Sequence, residues 1–231
     1  MSSSDLGKYH KDKELYRQEV QKFYDAYPDG ITLPPEYAQF IQENGLRLLI
    51  RLARYKFVAK MLRPSDRVME VGSGSGLGSI FLSQYCGSVL GVDVKNTEVE
   101  EANRLNKREN VDFVVADIFN SDLDSKFDVV TSLDVIEHMS EEDGQRLIEA
   151  KVEHLNEYGM VIIGSPSIYS YPYQSRISQV SHVKCYDMLE LQSLMDRYFH
   201  RTLAFSMNDE IVHTGFHKMA WYYFMIGFGI K

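Results

Sequence analysis

The amino-acid sequence predicts an α/β fold with a doubly wound, mostly parallel sheet. From residue 65 onward, short apolar runs alternate with segments of helical periodicity, which is the pattern of consecutive β-α-β units. The first apolar run, residues 68–71, leads into a turn with glycine at positions 72, 74 and 76, and a run at 89–92 ends in Asp93. Ligands of such sheets bind at the carboxyl ends of the strands, so the glycine turn and Asp93 mark the expected site.

The glycine turn is the sharpest local signal in the chain. Gly72, Gly74 and Gly76 allow sharp backbone turns and a close approach to a ligand, which side chains would prevent. Their G-x-G-x-G spacing differs from the G-x-G-x-x-G of dinucleotide sites, although an NAD-binding fold stays open as an alternative. Asp93 follows the turn by about twenty residues, the separation at which an acidic side chain can bind ribose hydroxyls.

Two helices are predicted before the sheet. Residues 1–7 are expected to be disordered, and residues 8–27 form a helix that Pro28-Asp29-Gly30 ends. A second helix over 36–62 opens with Pro34 and Pro35, because proline fits the first helical turn. These helices form an N-terminal extension, residues 1–64, which either covers the ligand or only packs on the sheet. Its arginines at positions 47, 51 and 54 face either an anionic substrate or solvent.

The remaining elements follow in alternation. Strands are predicted over 68–71, 89–92, 111–115, 127–133 and 160–163, and helices over 77–85, 97–107, 141–155 and 187–198. Thr97 and Ser140 are the predicted N-caps of two of these helices. Residues 202–205 and 220–228 are predicted to close the sheet as an antiparallel pair, joined by a polar connection at 207–217.

A cluster of polar side chains follows the fourth strand in Asp134-Val135-Ile136-Glu137-His138. Positions i, i+3 and i+4 share one helical face, so the three polar side chains can converge. Two carboxylates and one imidazole suit Mg²⁺, Mn²⁺ or Fe²⁺ better than structural Zn²⁺. A fourth ligand is expected from His182, which lies in a Ser- and Tyr-rich segment, residues 165–186, that should cover the same strand ends.

Two other roles stay open for this cluster. His138, with Glu137 beside it, is a candidate general base, because an unperturbed imidazole titrates near pH ~6.5. The cluster can also be purely structural. The late histidines His213 and His217 are candidates for substrate binding or for ordinary loop hydrogen bonds.

Together these motifs resemble class I S-adenosylmethionine (SAM)-dependent methyltransferases over residues 65–165. The resemblance implies a Rossmann-like, seven-stranded sheet with an antiparallel last strand, behind the N-terminal helical extension, within a domain of residues 65–231. It places an acidic residue and an apolar residue after the third strand at the adenine ring, although Asp117 can instead be a turn or cap residue. The positions that the resemblance assigns to SAM are Glu70, Gly72, Ser73, Gly74, Gly76, Asp93, Val94, Asp117 and Ile118.

The turn after the fourth strand resembles the E-x-x-E-H turn of small-RNA 3′-terminal 2′-O-methyltransferases, and that of ubiquinone-pathway and sugar-tailoring O-methyltransferases. In the first group a later histidine completes a divalent metal site. The resemblance therefore implies a metal held by Asp134, Glu137, His138 and His182. Asp134 departs from the pattern, since its arm is shorter than that of glutamate and demands a closer metal or a bridging water.

The amino-acid composition narrows the range of possible functions and partners. A formal net charge of −8 disfavours a dedicated nucleic-acid binder. Two cysteines and a polar start favour a cytoplasmic protein without a signal peptide. The longest apolar run, residues 219–230, is too short to span a bilayer, so no membrane partner is expected.

The predicted function is SAM-dependent O-methylation of a small molecule. The acceptor is expected to be a sugar, a nucleotide-linked sugar or a phosphate-containing precursor, since the late segments are similar to those of methyltransferases from bacterial surface-polysaccharide pathways. Four side chains of the covering segment are candidates for binding the acceptor, namely Tyr169, Tyr171, Tyr173 and Arg176. The alternatives are an RNA terminal 2′-O-methyltransferase, a metal-free enzyme with His138 as base, and a SAM-binding protein without activity.

Overall fold

The computed structural model of the chain describes residues 13–120, 123 and 125–231. The predicted disorder of residues 1–7, and the start of the predicted helix at 8–27, lie outside the described residues. Contacts divide the chain into two units, with the boundary between Leu33 and Pro34. The described part of the first unit contains helix α1, Lys13–Ala26, none of whose residues is buried.

The second unit begins with two helices, where the sequence predicted one. Helix α2 runs over Pro35–Glu43, with a proline in its first turn as predicted, and helix α3 over Gly45–Met61. The predicted continuous helix over 36–62 is therefore wrong at Asn44. This residue has an extended φ of −154°, and its side chain accepts a hydrogen bond from the Arg47 amide as the N-cap of α3. Asparagine is a favoured N-cap, so a new helix begins there.

Eight strands form one sheet within the described residues, in the order β3-β2-β1-β4-β5-β8-β6-β7. The strands are β1 Arg67–Val71, β2 Ser88–Asp93, β3 Val111–Val115, β4 Phe127–Leu133, β5 Leu155–Pro166, β6 Phe199–Asn208, β7 Ile211–His213 and β8 Tyr222–Ile230. Strands β1 to β5 are parallel, and β8 runs antiparallel between β5 and β6. The predicted antiparallel closing pair is present, and short β7 is an addition that lies inside the predicted polar connection.

The other helices mostly follow the predicted alternation. They are α4 Leu77–Leu82, α5 Asn96–Leu105, α6 Glu141–Glu153, α7 Arg176–Ser181 and α8 Met188–Met195, with 3-10 turns at Ile136–His138, Ile168–Tyr173 and His217–Met219. Ser140 caps α6 as predicted, since its hydroxyl accepts from the Asp143 amide. The prediction of Thr97 as an N-cap is wrong, because α5 begins one residue earlier and follows Lys95. Among the described helices, none has the length and apolar character that crossing a bilayer requires.

Two apolar layers enclose the sheet. One core cluster packs α6 and α8 against one face, and the other packs α3, α4 and α5 against the opposite face. Alternation along β1 shows the division, since Val68 belongs to one cluster and Met69 to the other. Both faces of the central strands are buried, as parallel sheets require. The loops after β1, β2, β3 and β4 therefore meet at one open edge of the sheet.

Phe113 on β3 connects the sheet to the glycine turn. A Cβ atom added to Gly91 on β2 would lie 2.5 Å from Phe113 Cδ1, and one added to Gly76 would lie 2.7 Å from Phe113 Cζ. The ring therefore fills the space that two missing side chains leave open. This packing fixes the height of the glycine turn above β2 and β3.

We expect Gly91→Ala to destabilise the fold by about 1–3 kcal/mol, because the added methyl group overpacks against the Phe113 ring. Urea unfolding measures this change. Gly45→Ala is the matched control, since no atom lies within 4 Å of its added Cβ and α3 should be unharmed. Equal stability of the two variants would contradict the packing argument.

Candidate functional site

The glycine turn adopts the left-handed conformations that its sequence predicts. The φ angles of Gly72, Gly74 and Gly76 are +74°, +51° and +86°, a region that L side chains rarely enter. A Cβ atom on Gly72 would lie 2.4 Å from a methyl group of Val135, so the loop after β4 packs against the turn. Around Gly74 the nearest such atom is 3.8 Å away, on Glu98. The turn thus exposes its backbone at Gly74.

Asp93 fastens the turn from the end of β2. One carboxylate oxygen accepts from the Gly74 amide at 2.9 Å, and the other accepts from the Lys95 amide at 2.9 Å. Each oxygen keeps a lone pair for a further donor. Val94, the next residue, is 63% exposed. The structure therefore brings an acidic and an apolar side chain beside the glycine turn.

Asp117 and Ile118 follow β3 at the same edge of the sheet. The Asp117 carboxylate accepts from the Phe119 amide at 3.0 Å and from the Asn120 side chain at 2.8 Å. This is the turn-forming arrangement that the sequence left open for Asp117. Ile118 is buried in the core cluster that contains α6.

Glu70 lies beneath the turn and is only 1% exposed. Its carboxylate accepts a hydrogen bond from the Ser79 hydroxyl on α4. Burial raises the pKa of Glu70 to about 7, against the opposing effects of the Ser79 and Tyr55 hydroxyls. Glu70 therefore supports the turn from below, together with α4. Ser73 and Ser75, between the glycines, are buried as well.

Three of the four predicted metal ligands converge at the carboxyl end of β4. Glu137 and His138 lie on the 3-10 turn, and His182 directly follows α7. One ligand atom from each lies within 4.8 Å of the other two. The amides of Val183 and Lys184 donate to the Glu137 carbonyl at 2.7 and 3.1 Å, which holds the His182 segment against the turn.

Glu137 and His138 each have an atom free to bind a ligand. Glu137 is fully buried; its Oε2 accepts from the Ser165 hydroxyl at 3.4 Å, and its Oε1 has no donor among the described residues. Nδ1 of His138 lies 3.0 Å from the Ser181 carbonyl, so this nitrogen carries the proton and Nε2 offers its lone pair. Burial lowers the pKa of His182, and the neighbouring His138 adds to this shift, which favours the neutral imidazole.

Asp134 has a different partner. Its carboxylate lies 2.5 Å from Nη1 of Arg54 on α3, and the Arg54 guanidinium stacks 3.9 Å from the centroid of the Tyr222 ring. The Asp134 carboxylate is therefore outside the three-residue group. The sequence placed Arg54 against either an anionic substrate or solvent and gave no signal for Tyr222, because their contact joins residues far apart in the chain. Arg51 is paired too, with Glu36 at 2.8 Å.

The segment over the strand ends is held by its own hydrogen bonds. The Tyr171 hydroxyl donates to the Gln179 carbonyl at 3.0 Å, and Tyr173 packs beside Trp221.

The two late histidines have partners within the fold. His213 accepts from the Gly215 amide at 3.0 Å, which is an ordinary loop hydrogen bond. His217 lies 3.5 Å from the Asp187 carboxylate.

Comparison with known proteins matches a methyltransferase-domain family model to residues 68–159. A ribosomal protein L11 methyltransferase from Thermosipho africanus is 40% identical over 119 residues, 45% of this chain and 45% of that protein. A ubiquinone biosynthesis O-methyltransferase from Rickettsia felis is 31% identical over 155 residues, 64% of this chain and 61% of that protein. The chain spans about half the length of these curated relatives.

A solved structure from Thermotoga maritima, described as a SAM-dependent methyltransferase and possible histamine N-methyltransferase, has the same fold. Its TM-score is 0.66 at 18% identity, over 84% of this chain and 94% of that one. This likeness confirms the predicted fold class. The matched family model is described as a methyltransferase domain and covers residues 68–159, which supports the predicted enzyme class for this part of the chain.

Glu70 should make stability depend on pH below neutrality. Its pKa is about 7 in the folded protein, against 4.5 for an unperturbed glutamate, so the folded state binds an extra proton between these pH values. Stability is then fully present below pH ~4.5 and falls as pH rises to 7, by about 3 kcal/mol. Glu70→Gln should remove this fall in denaturant unfolding, whereas Glu109→Gln, at an exposed position, should keep it. A wild-type profile that stays flat from pH 4.5 to 7 would contradict the assignment.

Proposed function

We propose that this chain is a SAM-dependent O-methyltransferase that acts on a small-molecule acceptor with the help of a divalent metal ion. The convergence of Glu137, His138 and His182 at the end of β4 carries this proposal. These residues come from two separate segments and meet near the glycine turn, which is proposed below to bind the cofactor.

SAM is proposed to lie against the ends of β1, β2 and β3. Asp93 would accept the ribose hydroxyls with its remaining lone pairs, and exposed Val94 would pack on the adenine ring with Ile118 nearby. Asp117 would accept from the adenine amino group. The backbone of Gly72, Ser73, Gly74 and Gly76 would approach the methionine part, and Glu70 would hold this turn in place from below.

The donor set fits a divalent cation. Glu137 has a buried carboxylate oxygen without a donor, and burial raises the pKa of this carboxyl well above its usual range, which a bound cation would reverse. His138 and His182 would add imidazole nitrogens, giving an O,N,N set that suits Mn²⁺, Fe²⁺ or Mg²⁺ completed by water. When bound, the ion would supply Lewis acidity, which lowers the pKa of an acceptor hydroxyl.

The remaining catalytic effect is alignment. Methyl transfer is an in-line displacement, and orientation of the reacting groups can supply up to roughly 7–11 kcal/mol of the barrier. Helices α2 and α3, from the N-terminal extension of residues 1–64, are proposed to cover the cofactor, while residues 165–186 form the lid over the acceptor. Tyr169, Tyr171, Tyr173 and Arg176 of this lid are exposed and available to hold the acceptor.

A sugar, a nucleotide-linked sugar or a phosphate-containing precursor, as in bacterial surface-polysaccharide synthesis, is the proposed acceptor class. The net charge of −8 supports a small molecule over RNA, whose backbone requires a basic surface. The similarity to a ubiquinone biosynthesis O-methyltransferase also supports oxygen as the acceptor atom. Activity that falls steeply with salt on an RNA acceptor would favour the RNA terminal 2′-O-methyltransferase instead.

One observation favours a second, metal-free mechanism. The bond from Nδ1 of His138 to the Ser181 carbonyl fixes the ring and leaves Nε2 as an oriented proton acceptor. In that mechanism His138 would remove the acceptor proton directly, and the carboxyl group of Glu137 would influence the charge of the His138 imidazole.

Chelation separates the two mechanisms. We expect removal of divalent metal, followed by a SAM-dependent transfer assay over candidate sugar and nucleotide-sugar acceptors, to lower activity at least about 100-fold. Added Mn²⁺ should restore it, because the ion polarises the acceptor oxygen. Glu137→Gln should lose both Mn²⁺ affinity and activity, since it removes a charged ligand.

The matched control is Glu142→Gln, an exposed position on α6 that should keep wild-type Mn²⁺ affinity and activity. Full activity of the metal-free enzyme, together with its loss in His138→Ala, would replace the metal mechanism by the general-base mechanism.

Asp93→Ala should weaken SAM binding by about 10–100-fold in calorimetric titration. The change removes the proposed ribose contact, and one hydrogen bond to a charged group contributes about 1.5–3 kcal/mol. It also removes the acceptor that holds the Gly74 amide. Asp112→Ala, on the exposed side of β3, is the control and should bind SAM normally. Unchanged affinity in Asp93→Ala would refute the ribose role.

A further inference from the structure

Asp134 has an unusual backbone conformation at the end of β4. Its φ of +59° lies in the left-handed region, which residues other than glycine enter in only a few per cent of cases, aspartate and asparagine more often than the rest. Asp209, which also has a positive φ, lies in the hairpin between β6 and β7, where turn geometry accounts for it. Asp134, in contrast, directly follows the central parallel strand β4 and lies in no hairpin. Unusual backbone of this kind often marks a functional position.

The surroundings of Asp134 hold it in this conformation. Its amide donates to the Gly164 carbonyl at 3.1 Å, and Arg54 holds its carboxylate at 2.5 Å. The Tyr222 ring supports the Arg54 guanidinium from below at 3.9 Å. Gly164 makes room for Tyr222, since an added Cβ would lie 2.5 Å from the tyrosine hydroxyl oxygen. Four separate elements thus direct one carboxylate toward one guanidinium.

The same carboxylate stands beside the three-residue group. Gly164, whose carbonyl accepts from the Asp134 amide, directly precedes Ser165, whose hydroxyl donates to the Glu137 carboxylate at 3.4 Å. Nevertheless the carboxylate does not join the group within 4.8 Å, because it is turned toward Arg54. Asp134 is therefore close to the proposed metal site, but its carboxylate is paired with Arg54.

We propose that Arg54 is a positioning residue that withholds the Asp134 carboxylate from the metal and so keeps a coordination position open for the acceptor oxygen. This inference rests on the metal site proposed above. Mn²⁺ and Mg²⁺ prefer six ligands, and water or substrate occupies the positions that the protein leaves open. Glu137, His138 and His182 would leave three such positions, and Asp134 as a fourth ligand would take one of them.

Replacement of Arg54 by a neutral residue of similar length tests the proposal. Arg54→Met frees the Asp134 carboxylate, which should then bind the metal and displace a water molecule. We expect Mn²⁺ to bind about tenfold more tightly in calorimetric titration. Water-proton relaxation should show fewer water molecules on the bound Mn²⁺ than in the wild-type protein. Neither measurement requires a known acceptor.

Two variants control for charge and for the identity of the new ligand. Arg51→Met makes the same chemical change one turn earlier on α3, at a residue paired with Glu36, and should alter Mn²⁺ affinity by less than about twofold. Arg54→Met combined with Asp134→Asn should return affinity and water number to the wild-type values, because no carboxylate is released. Thermal unfolding and binding of S-adenosylhomocysteine show whether each variant keeps its fold.

Three results would overturn the inference while the metal site stands: Arg54→Met that binds Mn²⁺ no more tightly, an unchanged water number, or an equal gain in Arg51→Met. If Arg54→Met does not fold, Asp134→Asn decides, since asparagine tolerates the left-handed conformation. Its water number should equal that of the wild type, and a gain of water would show that Asp134 is already a ligand. Absence of Mn²⁺ binding in the wild-type protein would remove the metal site itself and this inference with it.

Discussion

Two hydrogen bonds to the carbonyl oxygen of Glu137 hold the candidate site together. They come from the amides of Val183 and Lys184, at 2.7 and 3.1 Å, and join the turn after β4 to the segment after α7. The contact between His138 and the Ser181 carbonyl adds a third link between the same two segments. Because all three links use backbone groups of the lid segment, they depend on its path rather than on its side chains. They fix His182 beside Glu137 although many residues of the surrounding lid are exposed.

Helix α3 connects this site to the glycine turn after β1. Arg51, Arg54 and Tyr55 share one face of the helix, and each approaches an acidic side chain. Arg51 meets Glu36 on α2, Arg54 meets Asp134 after β4, and the Tyr55 hydroxyl acts on the Glu70 carboxylate under the glycine turn. Tyr55 also packs so closely on Gly78 that a Cβ there would lie 2.0 Å from its ring. A shift of α3 would therefore disturb both the glycine turn and Asp134.

The parts of the fold that could be predicted from sequence are those with local causes. The runs 111–115 and 127–133 are near-continuous apolar strands, and the structure reproduces both ranges. The glycine turn was recognisable because left-handed backbone demands glycine, and the cap at Ser140 because a hydroxyl before a helix accepts an amide. Asn44 carries the same kind of capping signal, but it lies inside a long helical pattern that hid the break between α2 and α3.

The parts that could not be predicted depend on contacts between distant residues. The (E/D)-x-x-E-H pattern gives the spacing of Asp134, Glu137 and His138 along the chain, yet the partner of Asp134 is Arg54, 80 residues earlier. Whether a carboxylate at this position meets a cation from α3 or an ion in the pocket depends on how α3 packs on β8 through Tyr222. Sequence spacing alone cannot distinguish these outcomes.

The electrostatics of the three-residue group follow from its burial. Burial penalises the negative charge of Glu137 and the positive charge of a protonated His182, so the pKa of the first is raised and that of the second is lowered. Both shifts arise because charge is costly in this pocket unless an opposite charge accompanies it. Asp134 avoids this cost, since the Arg54 guanidinium neutralises it at 2.5 Å. One acid at the end of β4 thus has a cationic partner within the fold, while the other is left with two imidazoles, which is the environment that a metal cation would complete.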